Sequence, residues 1–213
     1  KRAPEDFEVE EVPAYLPSTK LRIIGSGGGG RLRDVLASQM TAPVFPVHLD
    51  ELGAALEVRE IKSGEGFAIG DVRVRAAKLN HPGGVLAYRI EHGGRSVVYA
   101  TDTEYYACVD PALRALAEGA DVLIYDSQYT PEEYRGDGGR SKVGWGHSTY
   151  VAGAELARAA GVAKYVLFHH DPQRDDAGVA AVEQKAQALF ASSVAAREGM
   201  RIDLCPTARA EAA

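Results

Sequence analysis

Cysteine is scarce in this 213-residue chain. Only Cys108 and Cys205 are present, too few for a disulfide framework or a four-cysteine zinc knuckle, so a cytoplasmic protein is expected. Long apolar runs are missing as well: nothing approaches the ~18–20 consecutive apolar residues that span a bilayer, and no signal-peptide pattern opens the sequence. No membrane partner is therefore expected. Positive charge is in deficit, with 24 Lys and Arg against 30 Asp and Glu for a formal net charge of −6. That excludes a nucleic-acid surface spread over the whole molecule and permits only a local one. A phosphate-binding GxxxxGK[ST] loop is also absent, because the four glycines Gly27 to Gly30 run into Arg31-Leu32-Arg33; they read as a flexible connection. The chain begins at Lys1 without methionine and is expected to be processed, trimmed or part of something longer.

What is present describes a protein that buries a core. Hydrophobic residues make up 46% and charged residues 25%, which rules out collagen-like, coiled-coil and wholly disordered chains. Residues 1–11 are charged and lack apolar periodicity, so they are set apart from a domain expected over residues 12–213. Leu21 to Ile24 is a short strand candidate, and Arg31 to Met40 carries helical spacing. Strand alternation follows at Leu56–Ile61 and Val72–Arg75. Leu86–Ile90 and Ser96–Ala100 flank Gly93-Gly94 as a hairpin. Helices are expected from Asp110-Pro111 to Glu118, from Ser148 to Ala160 and from Asp175 to Ser192. They alternate with buried strands at Val122–Tyr125, Tyr165–Phe168 and Arg201–Leu204. A meander followed by β-α-β-α-β predicts a mixed α/β layer, an α+β sandwich.

Polar residues break the apolar runs in four places: Asn80-His81-Pro82 after a strand, Thr101-Asp102-Thr103-Glu104 after the hairpin, Gly146-His147-Ser148 before a helix, and His169-His170-Asp171 after the last buried strand. Each has an ordinary structural reading. Asp102 fits an Asx-turn, Ser148 fits an N-cap beside which His147 merely sits, and His169-His170 fits a capped turn. Against that, imidazole and carboxylate are the donor types of zinc and related ions, and their wide spacing suits a site assembled by the fold at strand carboxyl ends. His48 and His92 sit in a proline-flanked loop and at a hairpin tip. Trp145, Tyr105, Tyr106 and Tyr129 read either as stacking residues for a ring or base or as core and rim.

His81 in LNHPGG, Asp102 in YATDTE, Asp126 in LIYDSQYT, His147 in GHST and His169 in VLFHHDP, taken in that order, resemble the metallo-β-lactamase superfamily. The branch they are most similar to contains ribonuclease Z-like and phosphodiesterase-like hydrolases. The resemblance covers roughly residues 13 to 204 and implies an αββα fold, here N-terminally incomplete. It implies two metal ions, usually zinc, with Mn or Fe as alternatives, sharing an aspartate and a water. On that pattern Asp102 is the bridge, His81 a ligand of one ion and His169 of the other, with His170 an alternative. His147 becomes the proton donor, oriented by Asp126, where tRNA-processing members usually carry glutamate. The family's His-x-His-x-Asp-His run is absent from this sequence. Each ion would then have one histidine and a share of one carboxylate, below the three protein ligands usual at catalytic zinc.

Three readings follow: part of an active metal-dependent hydrolase, a degenerate member that binds a ligand or partner without catalysis, or an α/β domain with incidental histidines. For a hydrolase, the acidic balance favours a small phosphodiester or other ester over tRNA, with a β-lactam last. Exposed sheet edges imply a homo-oligomer or a complementing chain.

Overall fold

The computed structural model describes residues 13–27 and 30–204. The atypical segment 1–11 and Cys205 lie outside the described residues. The chain divides into two compact units, residues 1–61 and 62–213. In the first, β1 (Lys20–Gly25) pairs in parallel with β2 (Ala55–Glu60), joined through α1 (Leu32–Gln39). The Glu60 carboxylate accepts the Leu32 amide at 2.7 Å. This satisfies one of the free N–H groups at the start of α1.

The second unit is built on one seven-stranded sheet. Its strands are β3 (Gly66–Ile69), β4 (Val72–Leu79), β5 (Val85–His92), β6 (Arg95–Ala100), β7 (Val122–Asp126), β8 (Lys164–Phe168) and β9 (Ser193–Ala195), in that spatial order. From β3 to β6 neighbours are antiparallel; from β6 to β9 they are parallel. The change of pattern follows the connections. Gly93 and Gly94, both at positive φ, close a two-residue turn between β5 and β6, whereas parallel neighbours need helical crossovers. These crossovers contain α2 (Pro111–Ala117), α3 (Pro131–Arg135), α4 (Tyr150–Ala159) and α5 (Asp176–Leu189). Leu113, Leu116, Leu156, Ala157, Val182 and Ala186 from α2, α4 and α5 form one apolar cluster with Leu79, Ala87, Val98, Leu123, Tyr165 and Leu167 of the sheet. This is the mixed α/β architecture that the alternation predicted.

Three boundaries differ from expectation. Residues 201–204 form no strand; the last strand is β9, because α5 stops at Leu189 where Phe190 turns extended, three residues before Ser193 meets Tyr165. Helix α4 begins at Tyr150 with Thr149, not Ser148, as its cap: the Thr149 hydroxyl accepts the Ala152 amide. Strand β3, four residues long, and the five-residue α3, which starts with a Thr130–Glu133 capping box, are too short to be read from periodicity. Among the described residues no helix is long and apolar enough to cross a membrane.

Candidate metal and catalytic centre

Topology alone brings the polar interruptions to one edge. Strands β6, β7 and β8 are parallel, and β4 runs with them because both β4 and β6 are antiparallel to β5. Residues just past β4, β6, β7 and β8 therefore leave the sheet on the same side. These are His81, Asp102, the terminal Asp126 of β7, and His169. His147 reaches the same place on the segment before α4. Its ring lies 5.4 Å from that of His81, edge-on, and stacks on that of His169 at 4.6 Å.

Asp126 is the fixed point. It has no solvent exposure, and its carboxylate accepts four hydrogen bonds. One oxygen takes the amides of Gln128 (3.2 Å) and Ser148 (3.1 Å); the other takes the Thr103 amide (3.3 Å) and His147 Nδ1–H (2.9 Å). A buried carboxylate needs that many donors to offset its desolvation. Since a carboxylate only accepts, His147 carries its proton on Nδ1 and its Nε2 is the atom left for chemistry. The bond to Asp126 raises the His147 pKa above the usual imidazole value, with burial acting the other way and the charges of Asp102 and Glu104 adding to the rise.

Asp102 and His169 are arranged differently. Both are non-glycine residues in left-handed backbone, at φ 57° and 58°, a conformation that L-residues adopt at a cost. Their side chains meet, His169 Nε2 lying 3.3 Å from Asp102 Oδ1. His169 Nδ1 is buried with no hydrogen-bond partner among the described residues. His81 donates Nδ1–H to the Pro82 carbonyl at 2.8 Å, which leaves its Nε2 lone pair available. His81, Asp102 and His147 each offer an atom within 4.8 Å of one another, as do Asp126, His147 and His169. His81 keeps its place because residue 146 is glycine: a Cβ there would lie 2.4 Å from the His81 ring.

Glu104 ends the same Thr-Asp-Thr-Glu run as Asp102 and has a part that its local sequence does not announce. It is 2% exposed and holds the segment before His147. Its carboxylate accepts the amides of Gly144 (2.7 Å) and Gly146 (2.9 Å) and the Tyr134 hydroxyl (2.5 Å). Burial by itself would raise its pKa; those bonds outweigh it and hold the group below its usual value.

Of the remaining candidates only Tyr129 touches this cluster. His170 bonds through Nε2 to the Ala196 carbonyl, and burial lowers its pKa. His92 pairs with Asp71 at the exposed hairpin. Tyr105 bonds to Glu155 of α4, and Tyr129, 3% exposed, packs edge-on against His147. Trp145 and Tyr106 are exposed.

A family model described as a beta-lactamase superfamily domain matches residues 19–170. Ribonuclease Z of Synechococcus sp. strain WH7803 is 29% identical over 208 residues, covering 95% of this chain and 56% of that protein. Ribonuclease Z of Synechococcus sp. strain CC9311 is 32% identical over 200 residues, covering 92% and 54%. The chain thus spans about half the length of these curated relatives. Among solved structures, Zn²⁺-bound PqqB from Methylobacterium extorquens superposes with a TM-score of 0.61 at 20% identity, covering 87% of this chain and 65% of that one. Human tRNase Z, short form, gives 0.58 at 19%, covering 88% and 69%. At those identities the two structures speak to the fold alone.

Proposed function

The chain belongs to the beta-lactamase superfamily, and from that premise we propose that it is a ribonuclease Z-like, metal-dependent phosphodiester hydrolase. The observation that carries this reading is the Asp126–His147 pair standing beside the donors of His81, Asp102 and His169. Two imidazoles and a carboxylate suit zinc, and the buried His169 Nδ1, without a hydrogen-bond partner among the described residues, is a nitrogen whose chemistry fits a ligand. His81 and Asp102 lie, together with His147, within reach of one ion, and His169 meets the same Asp102 carboxylate. Two ions would need more donors than this cluster holds, so the proposal is a single ion with Asp102 as its carboxylate ligand. Such an ion supplies Lewis-acid polarisation of a phosphoryl oxygen and an acidified water.

The chain's own residues do the rest. His147, protonated on Nδ1 and held by Asp126, places Nε2–H where it can donate to a leaving oxygen. The raised pKa means that this proton is lost at higher pH than from a free imidazole. The stacked His169 ring and the edge of Tyr129 fix the plane of His147, so little reorganisation is needed at the moment of transfer. The order of substrates changes from the sequence reading. A small ester finds no support among the relatives, whereas two of them are ribonucleases by name, so an RNA phosphodiester stands first.

The test is metal analysis together with cleavage. The purified chain should retain about one zinc, lost in His81→Ala and Asp102→Ala, and should cleave a 3′-extended tRNA precursor in preference to bis-p-nitrophenyl phosphate. His147→Ala should retain the metal and lose cleavage. Failure of the unmodified chain to retain metal from zinc- or manganese-supplemented buffer would sink the proposal. The short ligand count also favours a second reading, a binder without turnover. Stoichiometric metal with no cleavage of either substrate would select it.

A further inference from the structure

The net charge of −6 permits a nucleic-acid contact only locally, and the segment before His147 contains one such place. Lys142 to Trp145 is a turn in which the Trp145 amide donates to the Lys142 carbonyl at 3.0 Å. Gly144 occupies its third position at φ 85°, the position where a type II turn requires glycine. The turn places residues 142 and 145 side by side. Lys142 Nζ sits 4.1 Å from the Trp145 ring centroid, and the guanidinium of Arg140 lies 5.5 Å from the same ring. The ammonium is also 5.9 Å from the Tyr129 ring, whose other neighbour is His147 at 6.3 Å. One tyrosine therefore stands between the lysine and the proposed proton donor.

This arrangement is rigidly mounted. Glu104 clamps the amides of Gly144 and Gly146 from inside, and the Lys142 amide bonds to the Tyr134 carbonyl at 3.0 Å. A lysine on an exposed loop ordinarily spends its rotamer freedom in water. Here two aromatic faces hold the ammonium beside the site, with Trp145 41% exposed. A cation so placed meets a phosphate at little further ordering cost.

We propose that Lys142, ordered by Trp145 and Tyr129, binds a backbone phosphate of single-stranded RNA entering beside His147. The proposal rests on the ribonuclease-like reading above, and its test reads binding, which needs no turnover. Trp145 is the one tryptophan in the sequence, so its emission reports on this turn alone. Titration of the intact chain with an unlabelled decaribonucleotide should change that emission, with an affinity that falls as salt rises. Lys142→Ala should weaken binding about tenfold and lower the slope of log K against log salt by about one, the signature of one lost phosphate contact. Lys142→Arg should retain most of the affinity.

Emission that ignores the oligonucleotide, or Lys142→Ala with unchanged affinity and slope, overturns the proposal. So does a full response to inorganic phosphate at the same phosphate concentration, which would mark a small-anion site. Binding without cleavage would remove the hydrolase reading and leave this one standing. Cleavage with KM unaltered by Lys142→Ala would do the opposite.

Discussion

Asp126 ends one strand of the sheet and Asp102 follows its neighbour, yet the two live in opposite surroundings. Asp126 is fully buried, with four donors on its two oxygens. Asp102 is half-exposed in left-handed backbone, facing a histidine that is itself in left-handed backbone and carries an unpartnered buried nitrogen. The first is saturated and can only hold things in place. The second has unused lone pairs and a conformation maintained at a cost, the pattern of a group kept for a ligand. Glu104 belongs with Asp126: buried, saturated and structural in its action, though it lies two residues from Asp102.

Substitutions should pull these two regions apart. The largest effect is expected from Asp126→Ala, which strands three buried or half-buried amides and the His147 ring. A loss of about 3–5 kcal/mol is expected, read as a lower denaturant midpoint at unchanged slope. Gly146→Ala comes next, at about 2 kcal/mol, because the new Cβ meets the His81 ring and the backbone is at φ 86°. It should also release bound metal, measured by elemental analysis. Asp102→Gly should do the reverse of Asp126→Ala: stability within ~1 kcal/mol of the parent and on the favourable side, since glycine accepts that backbone, yet metal retention abolished. Equal destabilisation by Asp102→Gly and Asp126→Ala would erase the distinction.

The smallest effect concerns pH. The folded pKa of His147 is raised above the model-peptide value near 6.5. Its contribution to stability is therefore fully present below that value and is lost as pH rises through the higher folded one. Imidazole resonances of the metal-free protein should show His147 titrating late, and Asp126→Asn should bring it back towards 6.5.

Much of the frame was legible in one sequence. Alternation gave β4 to β6, and Gly93-Gly94 marked the hairpin. Apolar runs alternating with the helices expected from Asp110-Pro111 to Glu118 and from Ser148 to Ala160 gave the later strands. The terminal strand was misplaced because Ser193-Val194-Ala195 is short and follows a helix without a strong stop, while Arg201 to Leu204 has the better pattern and no sheet position. Ser148 has the residue type of a cap, but its hydroxyl meets that of Tyr125, and the Thr149 hydroxyl takes the role. Glu104 was unreadable because nothing local distinguishes a carboxylate that clamps amides 40 residues away from one that faces water.

The sequence by itself determined the chemistry on offer: histidines and carboxylates at strand ends, and a formal net charge of −6. Only the tertiary structure decided how each donor is used. Hydrogen bonds from distant amides saturate Asp126 and Glu104 and leave Asp102 unspent. A left-handed backbone at His169 stacks that ring on His147, while the adjacent His170 is tied to the Ala196 carbonyl. The physical reason is that residue type fixes what a side chain can bind, whereas burial and competing partners, which arrive from far along the chain, fix whether that capacity remains free.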